Sequence, residues 1–272
     1  MRIAMAQMDI MWENIPGNKR KVVGFIEEAR KRQADCVVFP EMTLTGFSMN
    51  VEETGARWKE QVEFFKEASL DYQITCVFGY AMPISDVILE KHPDWRHYQN
   101  RLGIVENGQF KASYAKIHPF TLGMEGEYYQ GGEEVFTVPW RDTKVSAFIC
   151  YDLRFPEIFQ LVSDQSEIIF VIANWPGSRI SQWETLLRAR AMETQAFVVG
   201  VNRTGDGDGL HYNGHSVIYG PNGEQITTIQ ERECLVTGDI DLSMVKKSRE
   251  YIPLRKDRRE KLYIKLWKDS TF

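Results

Sequence analysis

The sequence predicts a single α/β domain, and three observations lead to that prediction. Apolar, strand-like runs alternate with stretches whose apolar residues recur at helical spacing. The hydrophobic fraction of 43% and charged fraction of 26% are ordinary for a folded globular chain of 272 residues. No Pro/Gly/Ser-rich linker or low-complexity segment divides the sequence. One domain over residues 1–272 is therefore expected.

The first half predicts strands separated by two helices. RIAMAQM is typical of a strand, GNKRKVVGFIEEARKRQA of an amphipathic helix, and DCVVFPE of a short strand buried on both faces. TGARWKEQVEFFKEASLDY predicts a second helix and ITCVFGYAM another strand. YQNRLGIVENGQFKASYAKIH predicts two strands that meet at Asn107-Gly108, because Asn-Gly favours a tight hairpin turn.

The second half repeats the order of strand, helix and strand. TKVSAFIC, SEIIFVIANW and FVVGVNRTG predict strands, with helices at PEIFQLVSD and SQWETLLRARAMETQA. A second hairpin is expected around Pro221-Asn222-Gly223. The matching order places Glu41 and Asn174-Trp175 after the carboxyl ends of strands, where α/β sheets usually bind ligands.

Charge and cysteine content restrict the classes of function. A net charge of -5 and a pI near 5.7 provide no basic field for nucleic acid. No apolar run has the length of a signal peptide core or a membrane span. The four cysteines lack the spacing of a zinc site. We expect a cytoplasmic protein with free thiols and neither a nucleic acid nor a membrane as partner.

Cys150 is the first candidate for chemistry. It stands where the apolar run VSAFI ends and FPEIFQL turns helical, with Pro156 suited to a first helical turn. Such a cysteine projects from the sheet edge, and backbone N–H groups of the turn would lower its pKa and bind an oxyanion beside it. The ordinary alternative is a cysteine that only fills space in the core.

Glu41 and Lys116 are unremarkable when each is considered alone. Glu41 follows a buried strand and a proline, where a carboxylate caps a turn or acts as a desolvated base. Lys116 ends an alternating strand, a position at which lysine is usually solvated. Their order along the chain with Cys150 is more informative than either residue.

The motifs FPE, YAKIHPF and ICYDLRFPE resemble, in that order, the Glu–Lys–Cys triad of the nitrilase superfamily of carbon–nitrogen hydrolases. The resemblance extends from AMAQMD through NWP and RARAMETQAFVVGVNRTG to GHSVIYGPNGE, which is nearly the whole chain. It implies a four-layer α-β-β-α sandwich that forms a homodimer or a larger homo-oligomer. A C-terminal tail of about residues 247–272 is expected to pack at the oligomer interface.

The resemblance also implies roles for the residues. Glu41 would be the general base, Lys116 the oxyanion partner together with the N–H of Tyr151, and Cys150 the nucleophile. A further active-site glutamate follows the lysine in many members; Glu125 matches it best, with Glu127 as the alternative. No metal or cofactor is needed for this chemistry.

The chemistry of such a set can be argued from reference values. The pKa values of free Glu and Cys differ by about 4 units, so transfer of the thiol proton costs roughly 6 kcal/mol. A neighbouring ammonium group and the N–H groups of the elbow are expected to lower the pKa of Cys150 and so reduce this cost.

The substrate pocket should include residues that follow Cys150 and Asn174. Arg154 would bind a substrate carboxylate through two parallel hydrogen bonds, or else form a salt bridge with Asp152 or Glu157. Trp175 would form a wall of the pocket or belong to the core.

CYDLRFPE and the NWP region resemble the omega-amidase branch, which hydrolyses the terminal amides of 2-oxoglutaramate and 2-oxosuccinamate. His215 stands in GHS where members of that branch often have aspartate. The alternatives are an N-carbamoyl amino acid amidohydrolase or nitrilase, a papain-like hydrolase using His118 or His215, and a non-catalytic binding protein of the same fold.

Overall fold

Two β-sheets form the middle of the molecule in the computed structural model, which describes residues 1–270. Their strands are β1 (Arg2–Gln7), β2 (Cys36–Val38), β3 (Thr75–Pro83), β4 (Tyr98–Glu106), β5 (Gln109–Ala115), β6 (Val138–Trp140), β7 (Thr143–Ile149), β8 (Ile168–Ala173), β9 (Phe197–Asn202), β12 (Val217–Tyr219) and β13 (Cys234–Asp239). A separate two-stranded ribbon consists of β10 (Thr204–Gly207) and β11 (Leu210–Asn213).

The helices lie between these strands and after the last of them. They are α1 (Ile15–Lys31), α2 (Val51–Thr54), α3 (Trp58–Asp71), α4 (Asp86–Leu89), α5 (Glu125–Tyr128), α6 (Pro156–Val162), α7 (Ile180–Thr194), α8 (Ser243–Tyr251), α9 (Leu254–Asp257) and α10 (Glu260–Asp269). Among residues 1–270, no helix combines the length and the apolar character needed to span a membrane.

The sheets have related strand orders. The first is β13-β1-β2-β3-β4-β5 and the second is β12-β9-β8-β7-β6. In the first sheet β1, β2 and β3 are parallel, and in the second β7, β8 and β9 are parallel, with antiparallel strands at the edges. Parallel strands are normally covered on both faces, and both sheets of this molecule are covered in that way.

Alternate residues of β1 belong to two different hydrophobic cores. Ile3 and Met5 pack in the core that the two sheets share, whereas Ala4 and Ala6 pack in the core beneath α1 and α3. Phe159 of α6 and Trp183 of α7 cover the outer face of the second sheet. The layers are therefore helix, sheet, sheet and helix, and the predicted four-layer sandwich is confirmed.

Two local expectations differ from the structure. The helix expected over residues 54–72 is interrupted, because α2 ends at Thr54 and α3 begins at Trp58. Gly55 lies in the break against the Tyr98 ring, where a Cβ atom would approach ring carbons to 2.5 Å. Around Asn222 the chain makes the expected turn, but the pairing after it is limited to a bridge between Tyr219 and Gln225.

Gly79 of β3 allows the segment after β2 to lie directly on the first sheet. A Cβ atom at Gly79 would lie 2.4 Å from the backbone N of Met42 and 2.8 Å from the Cα of Glu41. Backbone cannot move aside as a flexible side chain can. The position of Glu41 therefore depends on a glycine at residue 79.

We expect Gly79→Ala to lower the free energy of unfolding by about 1–3 kcal/mol through overpacking, and to displace Glu41. Chemical denaturation measures the first effect. Gly24→Ala is the matched control, because the space around Gly24 of α1 is open. That change should stabilise the protein by about 0.5–1 kcal/mol. Equal stability of the two variants would contradict the close contact.

Candidate active site

Cys150 lies at a sharp turn between β7 and α6. The strand ends at Ile149, Cys150 adopts a left-handed backbone with φ 47°, and residues 150–154 form a 3-10 turn before Pro156 starts the helix. A non-glycine residue in this conformation costs about 1–2 kcal/mol, so the surrounding contacts must hold it. The conformation directs the cysteine out of the sheet.

Asp152 supplies contacts that hold this turn. Its buried carboxylate accepts hydrogen bonds from the N–H of Ile149 at 3.2 Å, the hydroxyl of Tyr114 at 2.8 Å and the N–H of His118 at 2.9 Å. Tyr114 and His118 lie on either side of Lys116 in the chain. Asp152 thus fixes the cysteine turn relative to the lysine segment.

Glu41 is completely buried and follows β2 at the same edge of the sandwich. Its Oε2 accepts from the N–H of Asn174 at 2.8 Å, and its backbone oxygen accepts from Nδ2 of Asn174 at 2.7 Å. Asn174 follows β8 of the second sheet. The ends of the two sheets therefore meet directly at Glu41.

Lys116 lies just beyond β5 and is 1% exposed. Its Nζ donates to Oε1 of Glu41 at 3.0 Å and to Oε2 of Glu125 at 2.7 Å. The ring of Phe47 covers the ammonium group, with Nζ 5.2 Å from the ring centre. One cation thus serves two buried carboxylates.

The structure distinguishes the two glutamates that follow Lys116. Glu125 is buried, contacts Lys116 and accepts a hydrogen bond from the N–H of Phe120 at 2.6 Å. Glu127 is exposed and pairs with Arg96 at 3.4 Å. The buried carboxylate beside the lysine is therefore Glu125.

Asn100 belongs to this cluster and was missed by the sequence analysis. Its Nδ2 lies 2.7 Å from Oε1 of Glu41 and 2.9 Å from Oε1 of Glu125. A signal was present in β4, because Asn100 alternates with Leu102 and Ile104, which face the core between the sheets. A polar residue on that face points to a buried partner.

The expectation that the pKa of Cys150 is lowered is wrong. Burial and the negative charge of Glu41 raise the pKa of the Cys150 thiol well above its usual value, and they outweigh the opposing charge of Lys116. Although Cys150 has partial access to a cavity, protein atoms surround it on its other sides. The resting side chain is therefore a thiol.

The other two charged groups also have altered pKa values. Burial lowers the pKa of Lys116, but the charges of Glu125 and Glu41 reverse this effect and leave its pKa well above the ordinary value. Burial raises the pKa of Glu125, despite the opposing effect of Lys116. Lys116 thus remains cationic over the whole neutral range.

The cavity in front of Cys150 combines aromatic walls with two guanidinium groups. Cys150, Tyr151, Arg154, Trp175 and Arg179 all line it, and so do Leu210 and Tyr212 of the β10–β11 ribbon. All three residues predicted to bind substrate therefore lie beside Cys150. The ribbon turns at Asp208-Gly209, where both residues are left-handed.

Arg154 is held by uncharged partners. Its guanidinium lies 4.9 Å from the ring centre of Trp175, and Nη2 donates to Oε1 of Gln182 at 2.6 Å. Within residues 1–270 no carboxylate forms a salt bridge with Arg154, so the alternative pairing with Asp152 or Glu157 does not occur. The positive charge of the Arg154 guanidinium is therefore free to bind an anionic group in the cavity.

The histidines considered as partners for Cys150 have other contacts. The His118 ring stacks on Phe155 at 3.6 Å, and its Nδ1 lies 2.9 Å from Asp152. His215 contacts Glu184 and Glu231 and is not among the residues lining the cavity. Among residues 1–270 no cluster of three or more His, Cys, Asp or Glu side chains could hold a metal ion.

The raised pKa of Cys150 predicts how its thiol ionises. At about pH 8, just below the usual thiol pKa of ~8.5, we expect Cys150 to contribute almost no thiolate. The measurement is the ultraviolet thiolate absorbance of the protein minus that of Cys150→Ala, recorded from acid to alkaline pH. A thiolate signal already present near pH 6, as in a cysteine–imidazolium pair, would contradict the arrangement described.

Comparison with known proteins places the chain in a family. The family model for carbon-nitrogen hydrolase matches residues 2–250. The chain is 32% identical to the 2-oxoglutaramate amidase of Bacillus subtilis over 265 residues, covering 96% of this chain and 98% of that protein. It is 30% identical to omega-amidase YafV of Escherichia coli K12 over 269 residues, covering 98% and 99% of the two chains.

A solved structure agrees with this result. A CN-hydrolase superfamily protein from Xanthomonas campestris, which carries an arsenic adduct in its active site, superposes with a TM-score of 0.86 at 28% identity. The match covers 95% of this chain and 97% of that one. The predicted resemblance is confirmed, and the chain belongs to the carbon–nitrogen hydrolase family.

Proposed function

We propose that this carbon–nitrogen hydrolase is a thiol-dependent amidase that converts the terminal carboxamide of a small carboxylate-bearing molecule into the acid and ammonia. The observation that carries the proposal is the buried group of Glu41, Lys116 and Glu125 beside Cys150, which opens into a cavity containing Arg154. The proposal assigns bond cleavage to the buried group and substrate choice to the cavity.

In the first half of the reaction, Sγ of Cys150 attacks the amide carbon while its proton passes to Glu41. Because the pKa of Cys150 is raised, the thiolate forms only as attack proceeds. Lys116 and the N–H of Tyr151 stabilise the oxyanion of the tetrahedral intermediate. A donor of this kind typically contributes about 3–4 kcal/mol.

The second half restores the enzyme. The carbon–nitrogen bond breaks as Glu41 returns the proton to the leaving nitrogen, so that ammonia departs and a thioester remains on Cys150. Water then attacks the thioester and gives a proton to Glu41, with Glu125 assisting its placement. When the carbon–sulfur bond breaks, that proton returns to Cys150 and the acid is released.

Arg154 supports a substrate with a carboxylate at the end remote from the amide. A guanidinium binds a carboxylate through two parallel hydrogen bonds. The similar proteins named 2-oxoglutaramate amidase and omega-amidase point to the same class. We infer that 2-oxoglutaramate and 2-oxosuccinamate are the substrates, bound with the amide at Cys150 and the carboxylate at Arg154.

The C-terminal helices support the inferred homo-oligomer. Ile264, Leu266 and Trp267 of α10 are 50%, 54% and 61% exposed, and Leu161 of α6 beside them is 69% exposed. Large apolar side chains gathered on one face are typical of a protein interface. We infer that residues 247–270 pack against a second copy, which light scattering would detect as twice the chain mass; residues 271–272 of the predicted tail lie outside the described residues.

The cytoplasmic location stays a prediction. Its support is that Cys36, Cys76, Cys150 and Cys234 are all free thiols, as is usual in a reducing compartment. Fractionation of cells, with immunodetection of the protein, tests it.

A panel of substrates tests the proposed reaction. We expect ammonia release to be fastest from 2-oxoglutaramate or 2-oxosuccinamate, compared with N-carbamoyl amino acids and nitriles. Intact mass should show a thioester adduct that is absent in Cys150→Ala. Lys116→Met and Glu41→Gln should abolish turnover, whereas the control His118→Asn should retain it. Normal ammonia release by Cys150→Ala would disprove the nucleophile, and preference for another panel member would identify a different hydrolase of this family.

The role of Arg154 is tested by comparing charged and neutral amides. We expect Arg154→Leu to reduce kcat/KM for 2-oxoglutaramate by about 10–100-fold, as is usual when a hydrogen bond to a charged group is lost. Pentanamide, which has no carboxylate, should be affected much less. Arg179→Leu is the matched control, since Arg179 lines the same cavity. Equal losses on both amides would contradict carboxylate binding by Arg154.

A further inference from the structure

Asn100 occupies the central position between the two buried carboxylates. It lies on β4, opposite Ala81 of β3, and its backbone oxygen accepts the N–H of Lys116 at 2.9 Å. The side chain is 1% exposed, and its Nδ2 contacts Glu41 and Glu125 at once. Both contacts have the length of strong hydrogen bonds to charged acceptors.

The other end of the same amide is unsatisfied. Within residues 1–270, Oδ1 of Asn100 is buried and has no hydrogen-bond partner. A buried acceptor without a donor costs about 1–3 kcal/mol. Rotation of the amide would not remove this cost, because it would bring Oδ1 against the oxygens of both carboxylates. The two hydrogen bonds from Nδ2 must therefore outweigh the unsatisfied oxygen.

The cluster has more negative than positive charge. Two carboxylates share one ammonium group, and Lys116 contacts each of them. Like charges in a desolvated site repel strongly, so the pair needs donors other than Lys116. The Asn100 amide is a neutral donor that touches both carboxylates, and it adds no charge to the cluster.

We propose that Asn100 is a positioning residue for the hydrolysis, whose single NH₂ group ties Glu41 to Glu125 and keeps both carboxylates on Lys116 beside Cys150. The inference rests on the proposed amidase reaction. Asn100 does not line the cavity and acts through the two carboxylates. Without it, Glu41 loses one of the hydrogen bonds that fix its carboxylate beside the thiol, and only the contacts with Lys116 and Asn174 hold it there.

The titratable groups that face Glu41 and Glu125 come from four other segments of the chain. They are Lys116 after β5, Cys150 after β7, Tyr129 beyond α5 and Tyr212 of β11, in addition to the two glutamates themselves. The hydrogen bond from Asn100 lowers the pKa of Glu125, opposing the effect of burial. Loss of the donor therefore raises that pKa, and the acidic limb of the kcat/KM profile should move toward higher pH.

Two variants separate positioning from packing. We expect Asn100→Ala to lower kcat by about 10–100-fold with little change in KM, as for a misplaced catalytic group, and to move the acidic limb to higher pH. Asn100→Asp has nearly the same shape but brings a third carboxylate. It should be less active than Asn100→Ala at neutral pH. If Asn100 served only to fill space, Asn100→Asp would be the more active variant and the limb would not move; that result would overturn the inference.

Controls distinguish the sources of failure. Asn18 is a buried asparagine whose Nδ2 donates to the backbone oxygens of Met11 and Leu44 and whose side chain forms no hydrogen bond with Glu41 or Glu125. Asn18→Ala should lower the melting temperature and leave the pH profile unchanged. If the unsubstituted protein hydrolyses no amide, the proposed function fails; if it is active but the Asn100 variants show unshifted profiles, only the present inference fails.

A stability readout covers variants that fold poorly. Combining Asn100→Asp with Glu125→Gln moves a carboxylate to residue 100 and an amide to residue 125. The number of carboxylates around Lys116 then returns from three to two. The double variant should melt at a higher temperature than Asn100→Asp alone. If Glu125→Gln does not raise the melting temperature of Asn100→Asp, the number of negative charges around Lys116 does not determine the stability of the cluster.

Discussion

The ammonium group of Lys116, buried between two carboxylates, is the constraint on which the rest of this molecule depends. A charge at 1% exposure is tolerated only where its partners are close and otherwise satisfied. Here the two partners come from separate segments, Glu41 after β2 and Glu125 in α5, and Lys116 itself follows β5. The first sheet brings Glu41 and Lys116 together because β2 and β5 run in the same direction and end at one edge.

This arrangement sets the chemistry of Cys150. Cysteine hydrolases that use histidine hold a thiolate beside an imidazolium. In this chain burial and Glu41 raise the pKa of the thiol, and in the proposed mechanism the same carboxylate accepts its proton. In that mechanism the proton stays on sulfur until a substrate is bound.

Much of the fold could be predicted because it follows from local sequence, whereas the roles of Glu41, Lys116 and Cys150 were implied by the family resemblance of their motifs. The apolar runs that end at Glu41, Cys150 and Asn174 marked the strand ends, and the alternation of strands and helices predicted an α/β fold, whereas the four layers were implied by the family resemblance. The pKa of Cys150 could not be predicted, because its direction depends on how burial balances two opposing charges. Asn100 required the register of β4 against β3, although its alternation with Leu102 offered a signal.

The ribbon of β10 and β11 has a consequence for how such an enzyme can diversify. The residues proposed to break the amide bond follow or lie next to strands of the two main sheets, whereas Leu210 and Tyr212 of the ribbon line the cavity and have no proposed part in the reaction. The turn at Asp208-Gly209 joins the two short strands of the ribbon, which pair with each other. In the proposed enzyme, substitutions at Leu210 or Tyr212 would alter the cavity wall without replacing a group that takes part in the reaction. Selection for new substrates can act on one short hairpin, independently of the catalytic core.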